Sequence, residues 1–135
     1  MDDLFLKIIQ GEIPSEKIYE DDKTFAFLDI NPNNPGHTLV VPKKYSRNIL
    51  DIAEEDWIAL METVHKLAPS VKDAVGATGV NIYMNNESSA FQEVFHTHVH
   101  IIPRHDNDGY RPWSGTPYQE GEMEKIGETI RARIV

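Results

Sequence analysis

Apolar residues recur at intervals of three and four positions in two stretches of the chain, which predicts two amphipathic helices, and a third helix is predicted near the end of the chain. Asp2 and Asp3 can cap the first helix. Pro69 interrupts the second and longest, and we expect it to kink or split that helix. Acidic residues open the third helix and basic residues close it, an order that suits the helix dipole. The predicted helices span Leu4–Gln10, Glu54–Val75 and Gln119–Arg133.

Short apolar runs between clusters of Gly, Pro, Asn and Asp predict strands separated by turns. With no internal repeat and no linker, residues 1–135 are expected to form one α+β domain. The predicted strands span Ile18–Glu20, Thr24–Ile30, His37–Val41, Val80–Met84 and Val94–Pro103. The predicted loops include Asn31–Gly36, Asn85–Ala90 and Asp106–Pro117.

Composition narrows the class of protein. The absence of cysteine excludes disulfides, thiolate metal sites and a cysteine nucleophile. A net charge of -9 disfavours binding to nucleic acid, although a small nucleotide could still occupy a local pocket. No apolar run is long enough to cross a membrane, and the acidic start is unlike a signal peptide. A soluble, cytoplasmic protein with no nucleic-acid or membrane partner is therefore expected.

Three histidines alternate with other residues in the last predicted strand. Because alternate side chains of a strand share a face, His96, His98 and His100 are expected to form a row spaced by about 6–7 Å. A neutral imidazole can attack phosphorus, transfer a proton or bind a metal ion. Neighbouring imidazoles disfavour one another's protonation, so one ring can stay neutral and attack while another donates.

Two other interpretations of this row are open at this point. The histidines could be structural or solvated, although a histidine row is an unusual use of a buried strand face. They could also bind a metal ion, because His-x-His often begins a zinc site. Adjacent alternate residues seldom supply three ligands to one tetrahedral ion, however.

The segment Gln92–Arg104 resembles the signature of the histidine triad (HIT) family, which is His-φ-His-φ-His-φ-φ with φ an apolar residue. Thr97 is a mild departure at the first φ position. Three earlier segments resemble the family in the same order, so the likeness covers most of the chain. They are Phe5–Pro14, Phe25–Ile30 and Pro35–Lys43. The best match is the bacterial branch related to nucleoside phosphoramidases.

This resemblance implies a small HIT-like α+β fold, in which an antiparallel sheet packs with a long helix and shorter terminal helices. It also implies a symmetric homodimer that binds purine nucleotides. Family members hydrolyse or transfer nucleoside monophosphates through a nucleotidyl-histidine intermediate, a route that requires no cofactor and no divalent metal.

The resemblance assigns roles to individual positions. His98 matches the nucleophile, and His96 and His100 match the histidines that orient it and bind phosphate oxygens or the leaving group. Asp29 matches the carboxylate that accepts from both ribose hydroxyls, a task suited to a carboxylate, and His37 matches a supporting histidine. The predicted phosphate contacts are Asn85, Gln92 and Glu93. The predicted base pocket consists of Leu4, Phe5, Ile8, Phe27, Ile30 and Leu39.

Taken singly, these residues have ordinary explanations as loop caps, core side chains and loop amides. Only their order relative to the three histidines singles them out.

Two departures from the family pattern affect these expectations. Many relatives carry a zinc site near the N-terminus, and its positions here are occupied by Asp3, Leu6 and Tyr45, so we predict no structural zinc. Phe91 stands where the family usually has a glycine that lets the backbone approach the phosphate. Trp113, in the acidic loop, either shapes the leaving-group side of the site or anchors that loop.

The sequence therefore predicts an enzyme that hydrolyses purine nucleoside phosphoramidates and releases a nucleoside monophosphate. Hydrolysis of dinucleoside polyphosphates and nucleotidyl transfer are alternatives that share the same first step. A non-catalytic nucleotide-binding module is an alternative of another class, although a pure binder needs no nucleophile. A third class is a metal-dependent hydrolase or a metal sensor. It predicts that a chelator abolishes the activity.

Overall fold

The protein, described by a computed structural model over residues 3–135, consists of five strands, three α-helices and one 3-10 turn at Ser88–Ala90. The predicted capping role of Asp2 lies outside the described residues. Asp3 occupies the N-cap position of the first helix without a side-chain capping bond, and pairs with Lys7 at 3.5 Å. The elements are α1 (Leu4–Ile9), β1 (Lys17–Glu20), β2 (Thr24–Leu28), β3 (Thr38–Pro42), α2 (Glu54–Ala74), β4 (Gly79–Tyr83), β5 (Val99–Arg104) and α3 (Glu122–Arg133).

The strands form a single sheet in the order β1-β2-β3-β5-β4, and every neighbouring pair is antiparallel. One long helix and two shorter helices accompany this sheet. The predicted α+β class and its arrangement of helices are confirmed. No helix within residues 3–135 has both the length and the apolar character to span a bilayer.

Alternation along the strands gives the sheet two apolar faces. One face packs against α2 through Ala26, Val40, Val99 and Ile101. The other packs against α1 through Phe25, Phe27, Leu39 and Val41. Because His100 lies between Val99 and Ile101 in β5, its side chain is on the α1 face. The cross-strand partners of His100 are Leu39 in β3 and Tyr83 in β4.

The predicted start of the last strand is wrong, and so is the split that was one of the two effects expected of Pro69. The last strand begins at Val99 rather than at Val94, because the segment before it makes no ladder: the Thr97 N–H donates to the Ser46 carbonyl at 2.8 Å. Pro69 does not split α2, which is continuous over 21 residues with the proline inside it. The helix tolerates the missing N–H because its apolar stripe, including Leu67 and Val71, is anchored on the sheet.

The connection between β2 and β3 brings two predicted site residues together. The Asp29 N–H donates to the His37 carbonyl at 2.9 Å, so the residues on either side of the turn are neighbours. Gly36, with φ +97°, lets this turn close against the rest of the fold. A Cβ there would come within 3.1 Å of Val75 and 3.2 Å of Pro103, so a larger residue would require both side chains to move.

Candidate active site

A cavity of about 550 Å³ lies on the α1 face of the sheet. Its apolar floor comes from α1, β2 and β3, and its polar wall comes from β5 and from the loops after β2 and β4. A volume of this size suits a small organic ligand. The predicted site residues that line it are Phe5, Ile8, Phe27, Asp29, Ile30, His37, Leu39, Asn85, Glu93, His98 and His100, with Leu4 beside them.

The apolar members of this set serve the core and the cavity at once. Phe5, Phe27 and Leu39 belong to the buried cluster under α1, and they also form part of the cavity surface. The Phe5 and Phe27 rings meet edge to face with centroids 5.5 Å apart. Ile30 is 87% exposed and lies at the rim. Phe5, Phe27 and Leu39 therefore belong to the hydrophobic core and also line the predicted base pocket.

His98 is held in one tautomer by its neighbour's backbone. Its Nδ1 lies 2.7 Å from the His96 carbonyl oxygen, and a carbonyl can only accept, so the imidazole proton is on Nδ1. In its neutral form the ring therefore carries its lone pair on Nε2. The ring is buried, with 7% exposure, and the Phe5 ring packs edge-on against it at 5.0 Å. Its fixed orientation suits a nucleophile.

His100 and His37 form a directional hydrogen-bond chain. The Asn33 N–H donates to His37 Nδ1 at 3.1 Å, so the His37 proton is on Nε2. That Nε2–H donates to His100 Nδ1 at 2.8 Å. His100 Nδ1 is therefore an acceptor, and Nε2–H remains as the donor of His100. Tyr83 stacks on this ring, with centroids 4.4 Å apart and planes 15° apart.

Burial keeps both members of this chain neutral. Burial, followed by the neighbouring His98 and His37 rings, lowers the pKa of His100 to about 3. Burial also lowers the pKa of His37, and the Asp29 carboxylate opposes this shift only in part. The 3.8 Å approach of His37 Nε2 to Asp29 is thus not an ion pair at neutral pH. His100 acts as a neutral hydrogen-bond donor.

His96 lies beneath the cavity rather than in its wall. Its side chain is fully buried, its Nε2–H donates to the Pro42 carbonyl at 2.8 Å, and the Phe5 and Tyr45 rings pack edge-on against it. The row of rings predicted from strand alternation is therefore only partly correct. His96 orients His98 through its backbone carbonyl, and its imidazole does not line the cavity.

Asp29 lies beside His37 and His100, one residue after β2. Its Oδ1 accepts from the Asn31 N–H at 2.8 Å, which fixes the carboxylate while leaving further lone pairs available. The side chain is 22% exposed and lines the cavity. A fixed, partly exposed carboxylate at the end of an apolar strand is suited to accept two hydroxyl donors.

Gln92 is buried outside the cavity lining, and its amide is fully engaged. Its Nε2 donates to the carbonyls of Arg47 and Val94 at 2.7 and 3.1 Å. Its Oε1 accepts from Asn48 Nδ2 and from the Glu87 N–H at 3.0 and 2.8 Å. With both N–H groups used, the Gln92 side chain has no further donor to offer to a phosphate in this arrangement. Its observed role is to tie the loop after β4 to residues 47–48.

The same loop contains two strained backbone positions. Glu87 has φ 78° and ψ 160°, a region that usually requires glycine, and the Arg47 guanidinium holds it by two bonds of 2.8 and 2.9 Å. This pairing lowers the pKa of Glu87 to about 2. Phe91 adopts φ 68°, so the left-handed backbone matches the glycine that the family resemblance implies here. Asn85 Nδ2 donates to the Phe91 carbonyl at 3.3 Å, at the cavity wall.

Asp29, His37 and His100 also offer one ligand atom each within 4.8 Å of one another, a spacing that could hold a metal ion. The observed hydrogen bonds favour a different use. A cation at His37 Nε2 would displace the proton that His100 accepts, and would leave His37 Nδ1–H facing the Asn33 N–H. These three residues are therefore arranged as a hydrogen-bond chain beside a carboxylate.

Two contributors escaped the sequence analysis. Tyr83 could have been found by pairing β4 with β5, since it lies directly opposite His100. The Asn33 N–H, which sets the tautomers of two histidines, has no signal in the sequence, because any residue except proline supplies that donor.

Comparisons with known proteins show which family the chain is similar to. The HIT domain model matches residues 10–107. A HIT family crystal structure from Bacillus subtilis is 38% identical, with a TM-score of 0.90, covering 98% of this chain and 96% of that chain. An adenosine 5'-monophosphoramidase from Schizosaccharomyces pombe is 35% identical over 134 residues, 97% of each chain. An adenylylsulfatase from Arabidopsis thaliana is 38% identical over 107 residues, which are 79% of this chain and 54% of that protein.

The fold and the cavity define an α+β protein with two rings of a histidine row in the wall of a nucleotide-sized pocket. The chain belongs to the HIT family, whose members are nucleotide phosphoramidases and hydrolases. The family resemblance carried by Gln92–Arg104 is confirmed.

Proposed function

We propose that this protein hydrolyses purine nucleoside phosphoramidates through a nucleotidyl intermediate on His98. The observation that carries the proposal is the fixed tautomer of His98, which directs an Nε2 lone pair from a ring in the wall of the cavity. Asp29 lines the same cavity and is suited to the ribose hydroxyls, and Phe5, Phe27 and Leu39 provide an apolar surface for the base. The relatives named above support the reaction class.

In the first step, His98 Nε2 attacks the phosphorus as the P–N bond of the substrate breaks. The electron pair of that bond leaves with the amine, which takes up a proton from solvent. The His98 ring becomes a phosphorylated imidazolium, and its Nδ1–H stays bonded to the His96 carbonyl, which stabilises the positive charge. His100 donates Nε2–H to a phosphate oxygen, a bond aimed at the developing charge.

In the second step, water attacks the phosphorus and loses a proton to solvent. The Nε2–P bond breaks, and its electron pair returns to His98 as the neutral lone pair. The nucleoside monophosphate leaves with the new P–O bond. Because Nδ1–H is retained throughout, no tautomer exchange is needed between turnovers.

Substrate profiling tests this function. Adenosine and guanosine phosphoramidates are compared with diadenosine polyphosphates, with wild-type protein and His98→Ala side by side. We expect phosphoramidates to have the highest kcat/KM, and His98→Ala to lose turnover by orders of magnitude while it still binds nucleotide. Near-normal turnover by His98→Ala would contradict the assignment.

We also infer that two copies of the chain associate through β4. This strand is an edge of the sheet, and it borders a groove of about 510 Å³ between itself and α2. Ala68, Pro69, Val80 and Ile82 give this groove its apolar lining, and Ile82 is 44% exposed. An unpaired edge beside an apolar groove fits a second copy of the same edge.

Sedimentation velocity tests the association directly. The wild-type protein is expected to sediment as a dimer at micromolar concentration, and Ile82→Lys as a monomer with an unchanged circular dichroism spectrum. The matched control is Ile126→Lys on α3, where the native side chain is 40% exposed. A wild-type protein that sediments only as a monomer would refute the inference.

A further inference from the structure

The charge of the cavity is unusual for a site that receives phosphate. Among the described residues that line it, Asp29 and Glu93 are the acids, His37, His98 and His100 are the imidazoles, and no lysine or arginine is present. The hydrogen-bond donors available in the cavity for a negatively charged substrate therefore do not include a lysine or an arginine. Any additional anion must share the cavity with two carboxylates.

Glu93 is the second carboxylate in the cavity lining. It lies between the left-handed Phe91 and the cavity residue Val94, and its side chain is exposed. An ionised carboxylate only accepts hydrogen bonds, so it cannot donate to a phosphate oxygen. The phosphate contact predicted for Glu93 is thus chemically unsuited to the ionised side chain. A partner with N–H donors or a positive charge is suited to it instead.

Two arginines line an adjoining groove and not the cavity itself. That groove shares Tyr83, Asn85 and Phe91 with the cavity, and it contains Arg104 and Arg111. Arg104 is already paired with Asp108, with Nη2 to Oδ1 at 2.7 Å. A long anionic leaving group could extend past Phe91 to Arg111. A short one would stay beside Glu93.

We propose that Glu93 selects short leaving groups by their charge, favouring amines and disfavouring anions such as sulfate. This proposal rests on the proposed adenylyl transfer to His98. When the P–N bond breaks, the departing amine gains a proton, and Glu93 stabilises the ammonium that forms. When a P–O–S bridge breaks, sulfate leaves with the bridging oxygen and both electrons of its bond to phosphorus. Glu93 then repels the negative charge that develops.

The test compares three adenylyl compounds that differ only in the leaving group. One releases sulfate, one releases a neutral short alkylamine, and one releases a short diamine with a second ammonium. For each, kcat/KM is measured with the wild-type protein and with Glu93→Gln, which keeps the size and removes the charge. The matched control is Glu62→Gln, an exposed position on α2, across the sheet from the cavity.

At an effective dielectric constant of about 20, a unit charge at about 10 Å changes such rates by roughly tenfold. We therefore expect Glu93→Gln to lower the ratio of kcat/KM for the diamine compound to that for the sulfate compound by about a hundredfold. Glu62→Gln is expected to keep the wild-type ratio. An unchanged ratio in Glu93→Gln would overturn the proposal.

A binding experiment separates this proposal from the proposed function. The sulfate and diamine compounds are titrated into His98→Ala and into the double variant His98→Ala/Glu93→Gln, so no turnover is required. The double variant is expected to bind the sulfate compound roughly tenfold more tightly and the diamine compound more weakly. Equal affinities would refute the role of Glu93. Absence of turnover by the wild-type protein, with these affinity changes present, would refute only the nucleotidyl mechanism.

Discussion

One backbone N–H decides the chemistry of two side chains. Because the Asn33 N–H donates to His37 Nδ1, His37 must donate to His100, and His100 keeps its remaining proton on Nε2. Burial holds the pKa of His100 far below its ordinary range. His100 is thus a permanent neutral donor near His98, whose ring centroid lies 5.1 Å away. The two histidines perform different tasks because their Nδ1 atoms have different partners.

The hydrogen bonds between His37 and His100 lead to a prediction of how the stability of the protein depends on pH. The unfolded chain binds a proton at His100 near pH 6.5, whereas the folded chain binds it only near pH 3. The unfolded state therefore takes up more protons in that window, and the free energy of unfolding falls as pH decreases from about 6.5. The slope is at most about 1.4 kcal/mol per pH unit for each such group.

Urea unfolding at pH 7, 6 and 5 measures this dependence. His100→Gln removes the group that must bury its neutral form, so its unfolding free energy should depend less steeply on pH than that of the wild-type protein. His37→Gln should show a reduced slope for the same reason. Wild-type slopes in both variants would contradict the neutral hydrogen-bond chain.

The position of Asp29 leads to a separate prediction about how the ribose of the nucleotide is bound. If its carboxylate accepts from both ribose hydroxyls, Asp29→Asn should weaken binding of AMP by roughly tenfold or more, since a charge-assisted bond is lost. The same variant should bind the 2',3'-dideoxy analogue with wild-type affinity. Calorimetric titration of both nucleotides gives the comparison, and equal losses for both would assign Asp29 a purely structural role.

At the scale of elements, strands and helices followed from side-chain pattern, whereas the loop that shapes the site did not. Alternation in β2, β3 and β5 correctly places Phe27, Leu39 and His100 on one face. The predicted start of β5 is wrong because Thr97 bonds to Ser46, 51 residues away, and such a partner has no local signal. Gln92 was recognised by its position, yet its burial depends on Asn48 and Glu87, which only the folded chain brings near.

Gln92 therefore provides a test at this scale. Gln92→Glu preserves the shape of the side chain but places an acceptor opposite the carbonyls of Arg47 and Val94. We expect a loss of about 2 kcal/mol or more in the free energy of unfolding, because two part-buried carbonyls lose their donor. Denaturant unfolding measures this change. A stable Gln92→Glu protein with weakened nucleotide binding would instead indicate a direct contact with phosphate.

At the scale of the whole molecule, the two faces of the sheet have separate tasks. The α2 face is a continuous apolar core, and the groove beside β4 lies on the same side. The α1 face combines core with cavity, so Phe5 and Leu39 stabilise the fold while they form the floor of the site. Because the floor of the site is also core, the apolar pattern that predicts the fold also includes these residues. The histidines identified the site, whereas the acidic lining of the cavity emerged only from the assembled structure.

The most direct measurement is the mass of the protein during turnover. Wild-type protein is mixed with an adenosine phosphoramidate, quenched in denaturant within one turnover, and analysed by mass spectrometry and peptide mapping. We expect one added adenylyl group on His98, absent from His98→Ala and retained in His65→Asn, a change at an exposed position on α2. Turnover without any adduct, or an adduct on another residue, would contradict this expectation.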